Sequence, residues 1–236
     1  MINRKNVLAI IPARGGSKGI PLKNLRKLRG LSLIAIVANV VHKIKEIDRV
    51  IVSTDSSKIA AEAEKCGLSV PFRRPKHLSG DRVSDFQVLI NSLKKIEKID
   101  KKKYELIIML QPTSPLRKVK NVKDALNLIV EGNFDSVWTV SETDLKYHPL
   151  KQLIINKNKL EYYDKEGINI IARQQLKKTY HRNGVAYVVT RKCILNQNSI
   201  KGKRAGALVI RGTNISIDTE EDIKLAEKFI KKRNLH

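Results

Sequence analysis

Cysteine is scarce in this chain: Cys66 and Cys193 stand far apart and outside any Cys-x-x-Cys pair. That leaves no disulfide framework and no thiolate metal cluster, and it points to a reducing cytoplasm. Long apolar runs are missing too, none approaching the roughly 20 residues of a membrane-spanning helix. Met1-Ile2-Asn3-Arg4-Lys5-Asn6 leads directly into an apolar strand pattern, so no secretory signal peptide is expected. Aromatic residues make up 5% of the chain, too few to interleave with the basic clusters as stacking on single-stranded nucleic acid favours. Two phosphate-binding signatures, Gly-x4-Gly-Lys-Ser/Thr and Gly-x-Gly-x-x-Gly, are absent. A P-loop kinase or ATPase and a dinucleotide-binding dehydrogenase lose their main support. Acidic residues are few, 23 against 47 Lys and Arg. There is no internal repeat and no low-complexity linker.

The resulting formal charge of +24 makes nucleic acid the first partner to weigh. The cations are mostly lysines spread along the whole chain, with clusters such as Lys101-Lys102-Lys103 and Lys231-Lys232-Arg233 at inferred loops and the C-terminal end. A solvated basic surface that attracts anionic substrates accounts for this spread better than a nucleic-acid groove. At 236 residues and 42% apolar, the chain is expected to form one large domain, 1–236, with a hydrophobic core and a small excursion.

Apolar, β-branched runs at Val7–Ile11, Val50–Ser53, Leu106–Leu110 and Ser136–Val140 alternate with helical patterns at Leu31–Ile44, Lys58–Cys66, Val83–Ile99 and Val119–Glu131. The alternation predicts an α/β fold of three layers, a mostly parallel sheet with helices on both faces. Ligands in such folds bind beyond the carboxyl ends of the strands, where the loops after Ile11, Thr54-Asp55 and Leu110 would meet. The pattern breaks after about Leu145. Residues 147–183 carry short strand-like pieces such as Gln152–Ile155 and the turn Asn156-Lys157-Asn158, and read as an excursion from the sheet. Strand-like Val185–Val189 and Leu208–Ile210 follow. Glu220–Lys232 reads as a helix opened by Asp218-Thr219-Glu220-Glu221-Asp222.

The loop Pro12 to Asn24 holds the main chemical signal. Its Arg14-Gly15-Gly16-Ser17-Lys18-Gly19 core lies between a strand and a helix, where backbone N–H groups can close around phosphate. Arg14, Lys18 and Lys23 supply cations along it. Gln111-Pro112-Thr113-Ser114-Pro115-Leu116-Arg117 follows the Leu106–Leu110 strand, and its prolines leave Gln111, Thr113 and Ser114 to present polar groups. Arg73-Arg74-Pro75 precedes Leu78-Ser79-Gly80-Asp81, in which Asp81 reads alone as a helix cap. His148 invites a general-base role, although a structural one accounts for it better. Arg173 can grip a carboxylate through two parallel hydrogen bonds. Asp218, just before the last helix, reads either as a cap or as a metal ligand.

The run Ala13-Arg14-Gly15-Gly16-Ser17-Lys18-Gly19-Ile20-Pro21-x-Lys23-Asn24 resembles the opening motif of the acylneuraminate cytidylyltransferases, the CMP-sialic acid synthetases. Leu110 to Arg117 is similar to that family's second motif, Arg182-Asn183-Gly184 with Tyr187 to a third, and Ile215 to Thr219 to the Asp-Ile-Asp-Thr segment. The resemblance spans Val7 to the final helix. It implies a nucleotidyltransferase (Rossmann-like) sheet with a dimerisation insertion at 147–183. It implies CMP transfer from CTP to a nonulosonic acid, N-acetylneuraminate or a close relative, with release of pyrophosphate. Carried over by position, Arg14, Gly15, Ser17, Lys18, Lys23, Asn24 and Arg74 hold the nucleotide, and Val83 and Asp85 meet the base mainly through backbone. Gln111, Thr113, Ser114, Lys151, Arg173, Asn183 and Tyr187 belong to the sugar, with Lys151 acting in trans across a homodimer. Arg14, Lys18, Arg173 and Asp218 take the catalytic roles, and Asp218 holds Mg²⁺.

Two departures stand out: Ser216 replaces the first Asp of the metal segment, and His181 stands where some relatives carry Arg. No dedicated general base is visible, so metal-assisted deprotonation of the sugar hydroxyl is the expected route. The sister reading is activation of legionaminate, pseudaminate or 3-deoxy-manno-octulosonate. The distant one is a basic nucleic-acid-binding protein on a transferase-like fold.

Overall fold

The computed structural model describes residues 1–233, with side chains through Ile230. Residues 234–236 of the expected domain lie outside the described residues. In chain order the strands are β1 (Val7–Pro12), β2 (Lys27–Leu28), β3 (Leu31–Ser32), β4 (Arg49–Ser53), β5 (Leu106–Met109), β6 (Ser136–Glu142), β7 (Leu153–Asn156), β8 (Lys159–Tyr162), β9 (Tyr180–Thr190) and β10 (Ala205–Val209). The helices are α1 (Leu33–Val41), α2 (Ser57–Lys65), α3 (Asp85–Asp100), α4 (Val119–Glu131), α5 (Arg191–Asn196) and α6 (Glu220–Arg233).

The central sheet has the order β10-β6-β9-β5-β1-β4. Its β1–β4, β1–β5 and β6–β10 pairs are parallel, and β9 runs antiparallel between β5 and β6. The mostly parallel, helix-covered sheet expected from the sequence is therefore the architecture found. Strand β1 shows why its sequence reads as a continuous apolar run: both faces are buried. Val7, Ala9 and Ile11 join α1, α2 and α4 in one apolar cluster. Leu8 and Ile10 join α3 and α5 in another on the opposite face. A third cluster packs α6 against Ile20, Leu33, Leu116 and Ile217, and so anchors two of the functional loops.

Several boundaries move for local reasons. Helix α1 starts at Leu33 rather than Leu31, because Leu31–Ser32 pair with Lys27–Leu28 in a small antiparallel ribbon. Ser32 then caps α1 through the Ala35 N–H. Helix α3 begins at Asp85 rather than Val83: Ser84 and Gln87 form a reciprocal capping box, so Asp81 is not its cap. Strand β9 begins at Tyr180, five residues before the apolar stretch. Its leading residues Tyr180, His181 and Arg182 are exposed and pair with the extended end of β6.

Between β6 and β9 the chain leaves the sheet and forms the β7–β8 hairpin with short helical turns. Every residue of the hairpin strands is exposed, as are Ile168 and Ile171 beyond it. His148 is buried there. Its Nδ1 accepts from the Leu150 N–H, which leaves Nε2 to donate to the Lys177 carbonyl. Its role is structural. Among the described residues no helix is long and apolar enough to cross a membrane.

Candidate active site

A cleft of about 770 Å³ opens at the carboxyl edge of the parallel strands. Arg14, Ser17, Lys18, Lys23 and Asn24 line it from the loop after β1, Arg74, Val83 and Asp85 from the region after β4, Gln111 and Thr113 from the loop after β5, and Asp218 from the segment before α6. Segments far apart in sequence meet here because each follows the same edge of the sheet.

The loop after β1 is held in shape by side chains that hydrogen-bond its backbone. Asn24 is buried and donates from Nδ2 to the Arg14 carbonyl, and the Gly15 N–H donates to Asp55. Gly19 lies against the Asp218 segment so closely that a Cβ there would stand 2.7 Å from the Asp218 carbonyl oxygen. Only glycine allows the two loops to share this wall.

Of the cations lining the cleft, Arg14, Lys18 and Lys23 are already engaged by carboxylates. Asp81 bridges Lys18 at 2.6 Å and Arg14 at 3.0 Å, and the Lys18 ammonium with the Arg14 guanidinium holds its carboxyl below the ordinary range. Lys23, mostly buried, pairs with Asp218 at 2.8 Å. Arg74 is anchored to the end of β4 through Ser53, by Nε to the hydroxyl at 3.1 Å and by Nη2 to the carbonyl. Burial lowers its pKa to about 10, so it remains a cation. Asp218 is free of capping duty. Asp222 accepts from the Asp218 and Thr219 N–H groups instead, and Ser216 Oγ lies 3.3 Å from the Asp218 carboxylate.

Several residues expected at the sugar do not line the cleft. Ser114 is buried and donates to the Asn183 carbonyl. The Asn183 amide donates to Ser141, and its side-chain oxygen accepts from Thr139 and from the Val185 N–H. Tyr187 packs 5.3 Å from the Trp138 ring, and its hydroxyl accepts from the Gly184 N–H. Their polar atoms are taken up by the fold, so these three support the cleft from behind. Lys151 and Arg173 line a separate cavity of about 440 Å³ in the excursion, with Asp144 and Lys146. Within one chain Arg173 is not placed among the groups of the cleft.

A family model described as cytidylyltransferase matches residues 8–236 of this chain. The chain belongs to the cytidylyltransferase family. The chain is 34% identical to a CMP-N,N'-diacetyllegionaminic acid synthase of Campylobacter jejuni subsp. jejuni serotype O:2, over 97% of each protein. It is 31% identical to the post-translational flagellin modification protein B of Campylobacter coli, again over 97% of each. Among solved structures, a CMP:2-keto-3-deoxy-manno-octonic acid synthetase complexed with CTP superposes with a TM-score of 0.72 and 16% identity, covering 97% of this chain and 99% of that one. That likeness is one of fold.

In this cytidylyltransferase the position of Gln111 depends on a residue the sequence reading passed over. Arg117 is buried, and its guanidinium donates to the carbonyls of Gln111 at 2.5 Å, Gly184 at 3.0 Å and Val185. It ties the loop after β5 to the middle of β9. Nothing in the motif separated it from a surface arginine, apart from the apolar Leu116 beside it. Gly184, at φ +69°, completes the joint: a Cβ on it would stand 2.5 Å from Gln111 Oε1 and 2.7 Å from Ser114 Oγ. Replacing Gly184 by Ala therefore meets both a left-handed backbone and a clash. Gly184→Ala is expected to lower stability by about 1–3 kcal/mol in urea unfolding. Turnover with the sugar acceptor should fall further than the loss of folded protein explains, because Gln111 is the group displaced.

Proposed function

We propose that this cytidylyltransferase transfers CMP from CTP to a nonulosonic acid. The anomeric hydroxyl oxygen of the sugar forms a bond to the α-phosphorus and its proton passes to water, the bond from the α-phosphorus to the bridging oxygen breaks, and pyrophosphate leaves with that oxygen and the charge. The observation that carries this reading is the meeting of Arg14, Lys18 and Lys23 with Gln111 and Asp218 around one cleft. Three cations suit a triphosphate, and a positioned amide suits a polyhydroxylated acid. Positioning and charge stabilisation are the main demands of phosphoryl-group chemistry. Arg14 and Lys18 screen the triphosphate and the leaving pyrophosphate, Lys23 and Asn24 seat the nucleotide, and Gln111 and Thr113 orient the sugar.

Mg²⁺ belongs to the same reading. Among the described residues no three His, Cys, Asp or Glu side chains converge as a protein cage. Mg²⁺ does not require one: one or two carboxylates, phosphate oxygens and water satisfy it. Asp218, facing the cleft without a capping role, fits that demand, with Ser216 beside it able to hold a water. Bound there, the ion would screen charge and lower the pKa of a coordinated hydroxyl. Asp218→Ala should cut kcat by about 100-fold or more while changing CTP affinity, read by calorimetry, much less. Equal loss of both would assign Asp218 to nucleotide binding alone.

The homodimer is the second element. Ile155, Ile168 and Ile171 are 76%, 70% and 93% exposed, a concentration of apolar surface that favours burial against another chain. Lys151 and Arg173 lie on the same excursion, outside the cleft of their own chain. A partner's excursion would bring them to the sugar carboxylate. Sedimentation should show a dimer for the native chain. The double variant Ile155→Asp, Ile171→Asp should be a monomer that still binds CTP and has lost most turnover. A native monomer with full activity would overturn this arrangement.

The sugar is tested by pyrophosphate release with CTP and Mg²⁺ against legionaminate, N-acetylneuraminate, pseudaminate and 3-deoxy-manno-octulosonate, each alone. The 34% identity to a protein named for diacetyllegionaminic acid makes legionaminate the first acid to try, and turnover with one acid of the panel is expected. CTP binding without turnover on any would count against the nonulosonic acid. Salt-sensitive binding to DNA or RNA with no CTP binding would transfer the reading to the basic surface. A cytoplasmic setting, where CTP is available, completes the proposal.

A further inference from the structure

The cleft takes the carboxyl edge of the sheet, and a second charged surface takes the amino edge. Strands β1, β4, β5, β6 and β10 start there and β9 ends there. Backbone bonds join the segments of that edge side by side: Asp48 N–H to the Val7 carbonyl, Leu106 N–H to Asn6, Arg191 N–H to Glu105, Thr190 N–H to Asp135 and Asp135 N–H to Arg204. These segments carry Lys45, Lys101, Lys102, Lys103, Lys192 and Lys203, all exposed. Among the described residues none of the six makes an ion pair. Five carboxylates of the same edge are occupied within the fold. Asp48 accepts from the Val7 N–H, Glu105 from the Asn6 N–H and Asp135 from the Lys203 and Arg204 N–H groups, while Glu97 pairs with Arg191 and Asp100 with Arg49. Negative charge is thus turned inward at this edge and positive charge is left in water. Strand β1 has six residues, so the two edges stand roughly 20 Å apart, more than two Debye lengths of about 8 Å at physiological salt. These lysines add little to the attraction of an anion into the cleft.

We propose that the amino-edge face docks the protein on an anionic lipid surface, with the cleft turned toward the solution. Neither the nucleotide nor the sugar enters this inference, so it stands apart from the reaction. Charge complementarity calls for a polyanion, and three observations favour lipid over nucleic acid. The free cations are lysines, point charges on flexible stems, which suit headgroup phosphates that have no fixed spacing. Arginine forks that read base edges are not what this face offers. Tyr104, the aromatic residue beside the triple lysine, is buried, with Lys102 above its ring, so no base can stack on it. Ile99, at the end of α3 between Lys98 and Lys101, is 50% exposed, and Met1 on the same edge is 57% exposed. Apolar side chains among lysines gain by entering the boundary between headgroups and acyl chains, whereas a phosphate backbone gives them nothing.

The test is co-sedimentation of the full chain with vesicles of phosphatidylcholine, with and without phosphatidylglycerol, at physiological salt. The native protein should bind the anionic vesicles alone, and less as salt rises. The pair Lys102→Glu, Lys103→Glu should weaken that binding by about 30-fold or more. The pair Lys224→Glu, Lys228→Glu on α6 makes the same change in net charge and should weaken it far less. Both pairs should keep the native thermal midpoint. Ile99→Ser should weaken vesicle binding by about 3-fold or more and leave binding to a mixed-sequence DNA duplex as it was. Native protein that ignores anionic vesicles overturns the proposal. Equal losses in the two charge pairs also overturn it, since net charge and not this face would then be acting. Tight duplex binding without vesicle binding would give the face to nucleic acid instead. An Ile99→Ser variant that binds vesicles as the native protein does would overturn the choice of lipid over any other polyanion.

Discussion

The cleft depends on a single buried charge. Arg117 lies inside the molecule, and its guanidinium is stabilised by the dipoles of three backbone carbonyls rather than by a carboxylate. Burial lowers its pKa to about 9, which still leaves it charged at neutral pH. A buried ion is tolerated only when its donors are satisfied, so the loop after β5 and β9 at Gly184 are held where those donors need them. Gln111, Thr113 and, through the Ile217 N–H to Thr113 carbonyl bond, the Asp218 segment inherit that position. One guanidinium thus joins β9 to two of the segments that line the cleft.

How much of this could be read from the sequence varies with the kind of interaction. Strands β1, β4 and β5 were legible because a parallel strand buried on both faces leaves an unbroken apolar run. The loop after β1 was legible because glycines and cations together have few other uses. Strand β9 was read five residues short: its polar first residues pair with β6 outside the core, where no apolar period marks them. Helix α5, with six residues, was too short to show a period. The motifs assign Ser114, Asn183 and Tyr187 to the sugar, and in the structure their hydrogen bonds lie within the fold. A polar side chain that satisfies its own backbone has the same sequence signature as one that faces a substrate, and only the three-dimensional partner separates them. Arg117 is the converse, a charged residue that a sequence assigns to solvent and the fold takes inside.

The charge balance of the cleft gives the proposed reaction its order. Arg14, Lys18 and Lys23 would repel one another across a narrow cleft if it held no anions. Asp81 and Asp218 remove that repulsion in the free protein. A triphosphate offers more charge than two carboxylates, so in the proposed reaction it would displace them by exchange of partners. The exchange has an unequal result on the two sides. Asp81 and Lys18 are both well exposed, so Asp81 can turn to solvent once Arg14 and Lys18 hold phosphate. Asp218, released from the largely buried Lys23, stays anchored by the Asp222 cap and the contact with Gly19. In the proposed reaction it would then be a fixed carboxylate able to join phosphate oxygens in holding Mg²⁺. In that account the nucleotide itself prepares the metal position, and the loss of a second carboxylate at Ser216 is offset because the triphosphate supplies the missing oxygens.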